Sequence, residues 1–193
     1  MYLRKKTITL LQENTVFVNI DDKDVTFRAS AAIPRIYRNK FHRDIYKDLH
    51  DLQKSIDEND PENSALDSFS LELFEDISYI MAKHADPQGV PDTPDEWLDQ
   101  FGTFSIYQVL PEIIELWGLN VQTQVESKKK LRATDREMTT PLLLLRAVQL
   151  GVQIGEMNLL TIGTINDMYT EMQNDENQGS YSTLASQDDM DRF

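Results

Sequence analysis

The sequence predicts a mainly α protein with a small N-terminal antiparallel β element, an α+β chain. Three observations predict it. Thr15-Val16-Phe17-Val18-Asn19-Ile20 and Asp24-Val25-Thr26-Phe27-Arg28 are β-branched and aromatic, with Asp21-Asp22-Lys23 as a tight turn between them. From Ile33 onward apolar residues recur at spacings of three and four instead of two. Capped helix starts then follow, at Thr93-Pro94-Asp95-Glu96, at Ser105 with Gln108, and at Thr139-Thr140-Pro141.

In order along the chain, Thr7 to Leu11 reads as a further strand, with Glu13-Asn14 as its turn. Ile33, Ile36, Tyr37, Phe41, Ile45, Leu49, Leu52 and Ile56 form one apolar stripe, predicting a single helix of about six turns. Pro34 fits its first turn, where a missing donor costs little. After the polar loop Asp57 to Asn63, a second helix is predicted from Ser64 to His84. Its core stripe is Leu66, Phe69, Leu73, Ile77 and Ile80, widened by Phe74 and Met81. Thr93-Pro94-Asp95-Glu96 opens a short helix carrying Trp97, Leu98 and Phe101. Ser105 and Gln108 predict another capping box, opening a helix to about Trp117 that Pro111 should kink.

Residues 1–121 thus form an N-terminal domain, and 122–138 a polar, basic linker containing Lys128-Lys129-Lys130. A compact unit follows at 139–173. Thr139-Thr140-Pro141 caps a helix through Leu142, Leu143, Leu145, Val148 and Leu150, which Gly151 stops. A second helical stretch, punctuated by Gly155 and Gly163, carries Leu159, Leu160, Ile162, Met168 and Tyr169. Residues 174–193 are acidic and are expected to be disordered when free. At about 35 residues the second unit has too little core to be very stable alone and is expected to borrow burial from a partner. The alternative is that Leu142 to Leu160 packs back on the N-terminal domain as a hairpin, because short helices rarely stand alone.

Bulk properties bound the function. The chain has 193 residues, 40% of them hydrophobic, and a formal net charge of −14. That charge argues against free nucleic acid as a ligand, since phosphate binding is driven by Lys and Arg. No cysteine is present, which removes disulfides, thiolate metal sites and a cysteine nucleophile. The basic stretch Met1 to Thr7 is followed by no signal-peptide core. The longest apolar run, Leu142 to Leu145, is far short of a membrane span.

No residue constellation argues for catalysis, a metal or a cofactor. His42 and His50 lie eight residues apart, roughly 12 Å along a helix at about 1.5 Å per residue. With His84 they read as solvent-facing. Carboxylate pairs such as Glu72 with Asp76, or Asp95 with Asp99, fall at helical spacing and read as solvated faces. Asp86, Gln88, Asp92 and Asp95 around Gly89 lack the alternating ligands and closing glutamate of a calcium loop. Arg28, Arg35, Arg38, Lys40 and Arg43 read as partners for Asp44, Asp48 and Asp51 and not as a nucleic-acid patch.

Three stretches together resemble the tail assembly chaperones of long-tailed phages of Gram-positive hosts. The first is Val25 to Ala29 with Ile36-Tyr37-Arg38-Asn39-Lys40-Phe41-His42-Arg43-Asp44-Ile45, where His42 replaces the usual glycine. The second runs from Glu96-Trp97-Leu98-Asp99 to Ile113-Ile114-Glu115-Leu116-Trp117. The third and most specific is Thr139 to Glu171, resembling the family's C-terminal extension. Together they cover most of the chain.

The resemblance implies a non-catalytic chaperone, acting in the host cytoplasm and absent from the mature virion. It would keep the tape measure protein soluble and, through the extension, recruit tail tube subunits. Self-association is a further option. The extension is commonly added by a ribosomal frameshift, for which the boundary at Lys128-Lys129-Lys130 is a suitable place. The expected partner-binding residues are Leu142, Leu143, Leu145, Arg146, Leu159, Leu160, Ile162, Met168 and Tyr169. Two other readings are a structural virion component, such as a tail completion or head–tail joining protein, and a small enzyme.

Overall fold

The computed structural model describes residues 14–58, 68–102, 105–128 and 137–176. The predicted strand at Thr7 to Leu11 and the residues of the tail beyond 176 lie outside them.

Two strands, β1 (Thr15–Ile20) and β2 (Lys23–Arg28), pair antiparallel with Val16 opposite Phe27 and Ile20 opposite Lys23. The two-residue turn uses positive φ at Asp21 (49°) and Asp22 (62°), the combination that matches strand twist in a tight hairpin. Asp21 also fastens the hairpin tip. Its carboxylate accepts the Gly102 N–H at 2.6 Å and the Ser105 hydroxyl at 2.7 Å. Side chains alternate as a half-buried strand requires: Val16, Val18 and Ile20 face the core while Phe17 and Asn19 face outward.

The single helix expected over Ile33 to Ile56 is two, α1 (Ile33–Phe41) and α2 (Ile45–Glu58). His42 takes φ 58° and ends α1, its N–H returning to the Arg38 carbonyl. Asp44 then restarts the chain by accepting the Tyr46 N–H at 3.2 Å, an N-cap contact. The apolar stripe survives the break because Ile33, Tyr37 and Ile45 are all buried in the same core.

That core surrounds α3 (Ser68–Ala85). From Leu73 to Ala82 nearly every side chain is buried or half-buried, Asp76 and Ser78 included, so the helix is enclosed instead of presenting one stripe. α4 (Pro94–Leu98) begins as predicted, with Thr93 Oγ1 accepting the Glu96 N–H at 3.3 Å. It delivers Trp97 edge-on to Phe27, Tyr79 and Phe101 at centroid distances of 6.3, 5.9 and 5.4 Å. The next predicted helix start is corrected. Ser105 caps nothing with its side chain. Ile106–Val109 is a 3-10 turn, and Pro111 sits in the first turn of α5 (Leu110–Val121), where it starts the helix and does not kink it.

The C-terminal stretch packs α6 (Thr140–Gln149), a 3-10 segment Ile154–Leu159 and α7 (Ile162–Glu176) onto the corner made by α1, α2 and α5. A second apolar cluster joins Leu143, Ala147, Met157, Ile162 and Ile165 to Ala31 and Ala32. Burying a side chain the size of Leu or Ile contributes roughly 1.5–3 kcal/mol.

Of the stretch expected as a linker, 122–128 is held along α7. Asp167 accepts the N–H groups of Gln124 and Val125 at 3.0–3.1 Å, and Asn174 accepts that of Lys128 at 3.0 Å. Asn174, assigned to the tail from sequence, is therefore a buried helical residue. Gly163 is likewise inside α7, not a break. A Cβ there would lie 1.8 Å from the Gln122 carbonyl oxygen. Gly163→Ala must push the backbone of 122–128 off α7, at a cost of about 1–3 kcal/mol. The check is a lowered urea midpoint with faster amide exchange at Gln124 and Val125.

Candidate partner-binding surface

Local chemistry builds the C-terminal unit closely. Thr139 Oγ1 accepts the Leu142 N–H at 3.4 Å, and Pro141 occupies the first turn of α6. At the other end Gly151, φ 81°, donates to the Val148 carbonyl at 3.0 Å, and Val152 donates to that of Ala147 at 2.9 Å. Those two bonds are the Schellman pattern, with the apolar pair Ala147 and Val152 beside it. Glu156 accepts the Gln153 N–H at 3.1 Å and starts the 3-10 segment.

The expected partner-binding residues divide into four groups. Leu143 and Ile162 are fully inside the second core, at 0% and 1% exposure. Arg146 and Tyr169 hold the unit together: the guanidinium donates to Asn166 at 2.8 Å and lies 4.9 Å from the Tyr169 ring centroid. Leu142 and Leu160 are half-buried, and the Leu160 carbonyl accepts the Ala31 N–H at 2.8 Å. Leu145 (47%), Leu159 (73%) and Met168 (38%) are exposed. The sequence reading missed two exposed neighbours as binding residues, Val148 and Ile154. The apolar pattern of 142–150 names Val148 only as one of the residues that make the helix. An apolar residue on a short helix does not itself declare which side the body will cover.

Beneath this unit lies a polar corner. Asp44 is buried, and besides capping α2 it accepts from the Thr140 N–H at 3.0 Å and the Thr140 hydroxyl at 3.1 Å. Arg38 reaches it at 3.2 Å. Arg43 bridges three helices. It stands 3.2 Å from Asp48, 3.2 Å from Glu72 and 2.5 Å from Asp76, and donates to the Tyr37 hydroxyl at 2.8 Å. Tyr37 in turn donates to Asp48 at 2.7 Å. Burial pushes the Tyr37 phenol well above its ordinary range, helped by the Asp48 carboxylate that accepts its proton.

Lys40 donates to the Asp92 carbonyl and Arg28 to the Asn158 carbonyl, so with Arg38 and Arg43 four of the five basic residues of that row are engaged within the chain. In the loop after α3, Asp86 accepts the Gln88 and Gly89 N–H groups, and Asp92 pairs with Lys83 at 2.9 Å. Among the described residues no three His, Cys, Asp or Glu side chains gather to hold a metal ion. No described helix is long and apolar enough to cross a membrane.

Two groups read from sequence as solvated are not. Asp76 is buried, and desolvation raises its carboxyl to about 7, partly offset by Arg43 and reinforced by Glu72, Glu75 and Asp48. His84 is half-buried with Nε2 2.9 Å from the Ser30 hydroxyl. Desolvation, with Arg28 and Arg35 nearby, lowers it to about 4. His42 does face solvent, while His50 is half-buried and stands 3.1 Å from Glu137.

Neither shifted group lines the shallow cleft of about 250 Å³ between β2 and the Asp86–Val90 loop, where Trp97 and Phe101 form a wall. Their pH effects oppose each other. Asp76, with a folded value above its unfolded 3.8, adds stability below about 4 and loses it as pH rises through 7. His84, with a folded value below its unfolded 6.5, adds stability above 6.5 and loses it as pH falls through 4. Between pH 4 and 6.5 the slopes cancel, each at about 1.4 kcal/mol per pH unit for a whole proton. Urea titrations should find His84→Gln gaining stability on acidification across that window and Asp76→Asn losing it.

Comparison with protein-family models, with curated proteins and with solved structures returned no match.

Proposed function

We propose that this chain is an assembly chaperone of a phage tail, a protein-binding and non-catalytic factor. It masks the long apolar helices of a tape measure protein and recruits tail tube subunits through residues 139–173. The observation that carries this reading is where the uncovered apolar surface lies. Five of the eight exposed large hydrophobic side chains among the described residues, Leu145, Val148, Ile154, Leu159 and Met168, belong to the C-terminal unit. Apolar exposure gathered in one unit is what a protein-interaction surface requires. Helical clients with apolar stripes need such masking to avoid aggregation, and helix-to-helix contact is a direct way to supply it.

A second observation supports the family resemblance behind the reading. Position 42, where the resembled pattern carries glycine, has φ 58°. That is the backbone conformation glycine adopts without strain.

The test is co-expression of the full chain with a tagged tape measure protein and, separately, with tube subunits from the same phage. Capture of both, lost for the tube subunit in a Leu145→Asp, Leu159→Asp double variant, is the expected result. Capture of neither, together with stable presence of the chain in purified particles, would assign it to the virion structure instead.

A further inference from the structure

The face that receives α6 and α7 has a composition of its own. Its floor is small, Ala31 and Ala32, and its walls are Ile36, Tyr46, Trp117 and Val121. The side chains laid into it follow helical spacing: Leu143 and Ala147 at i and i+4, Ile162 and Ile165 at i and i+3.

The polar contacts at its rim are directed at main chain or at a helix-start hydroxyl. Asp44 takes the Thr140 N–H and hydroxyl. Asn120 accepts the Ile162 N–H at 3.4 Å while donating to the Ser30 carbonyl at 3.2 Å. The Ala31 N–H and the Arg28 guanidinium donate to the carbonyls of Leu160 and Asn158. A buried carboxylate at the positive end of a helix and donors aimed at carbonyls recognise a helix by its geometry. They place few demands on which chain the helix comes from.

We propose that this face is a helix-binding groove, that α6–α7 fills it in cis as a displaceable occupant, and that its partner is an amphipathic helix of the client. That helix carries Ser or Thr in its first turn, set against Asp44, and apolar residues at i and i+4 over Ala31 and Ala32. The proposal rests on the chaperone reading for the client's identity, and on the packing alone for the groove. It explains how Leu143 and Ile162 can belong to the unit most suited to partners and yet be fully buried. The cis occupant covers the groove until a client helix competes for it, and on leaving it presents those side chains.

The probe is a labelled peptide of residues 139–176, titrated by fluorescence anisotropy into full-length wild-type protein and a full-length Leu143→Asp variant. A site occupied in cis weakens binding in trans in proportion to the open fraction, so freeing it should tighten peptide binding by about tenfold or more. Adding Asp44→Ala to the variant should remove that gain, and a peptide bearing Leu143→Asp should bind neither protein. Equal binding to the two proteins overturns the proposal.

Hydrogen exchange on the wild-type chain guards against a variant that fails to fold. The Ala31 and Ile162 amides should open together and more readily than those of Phe27 and Met81. Exchange of all four only through global unfolding also overturns the proposal. A wild-type chain that runs as a dimer and takes up no peptide assigns the groove to a second copy and overturns the client helix. Peptide capture without tape measure capture keeps the groove and removes the chaperone reading.

Discussion

Replacing Arg43 with alanine should destabilise the protein by about 3–5 kcal/mol at pH 8, the range for stripping the partner from a buried charge. The reason is the number of groups left behind. Asp48 and Asp76 are both buried, Glu72 lies on the same side, and the Tyr37 hydroxyl loses the donor at 2.8 Å that balances its own donation to Asp48. The guanidinium also covers the faces of Tyr37 and Phe41, at 5.8 and 5.9 Å from their centroids, so packing is lost with the charge.

The loss should depend on pH in a definite direction. Asp76 already titrates near 7 in the folded protein, against 3.8 for an ordinary aspartate, and Arg43 is the group that holds it down. Without Arg43 the carboxyl protonates more readily. The penalty is therefore largest where Asp76 must be ionised and shrinks on acidification toward pH 5. Arg43→Lys keeps the charge but cannot reach Asp48, Glu72 and Asp76 at once, and should recover less than half of the loss. Urea midpoints at pH 5 and 8 for both variants make the measurement. A pH-independent loss would show that Arg43 acts through packing alone.

Asp44→Ala should cost about 2–4 kcal/mol, distributed unlike the Arg43 loss. One carboxylate serves two helix starts: it caps α2 through Tyr46 and receives the first residue of α6 through Thr140. Loss of an N-cap alone costs about 0.5–2 kcal/mol, and buried charged hydrogen bonds about 1.5–3. Exchange should rise sharply at Leu142 to Arg146 and at the start of α2, and little within β1 and β2. Asp44→Asn, which retains an acceptor, should fall between. Equal loosening of the sheet would mean that the C-terminal unit and the N-terminal body open as one.

These two residues mark what one-dimensional patterns convey and what they do not. The apolar stripe from Ile33 to Leu49 placed the right side chains in the core, yet the chain breaks between Phe41 and Ile45. No glycine or proline announces the break. Its signals are a histidine able to hold φ 58° and an aspartate ready to cap, and both are compatible with continuous helix. Asp44 and Arg43 were legible as ion-pair formers, but their partners on α3 and α6 are 33 and 96 residues away. Asp76 stands on a helix whose spacing reads as one apolar stripe and one polar face. Only the enclosure of α3 from all sides buries it and lifts its pKa.

The sequence by itself determined the class of fold, the hairpin and its turn, the capped start of α4 and both ends of α6, because propensity, capping and turn chemistry act over a few residues. It also determined which residues of the C-terminal unit are apolar. Which of them are covered and which remain free, with Leu143 and Ile162 inside and Leu145, Leu159 and Met168 outside, was decided by the tertiary structure. A helix can bury only the side that meets a neighbour, and here the neighbour is a face of Ala31, Ala32 and Trp117 supplied from far along the chain.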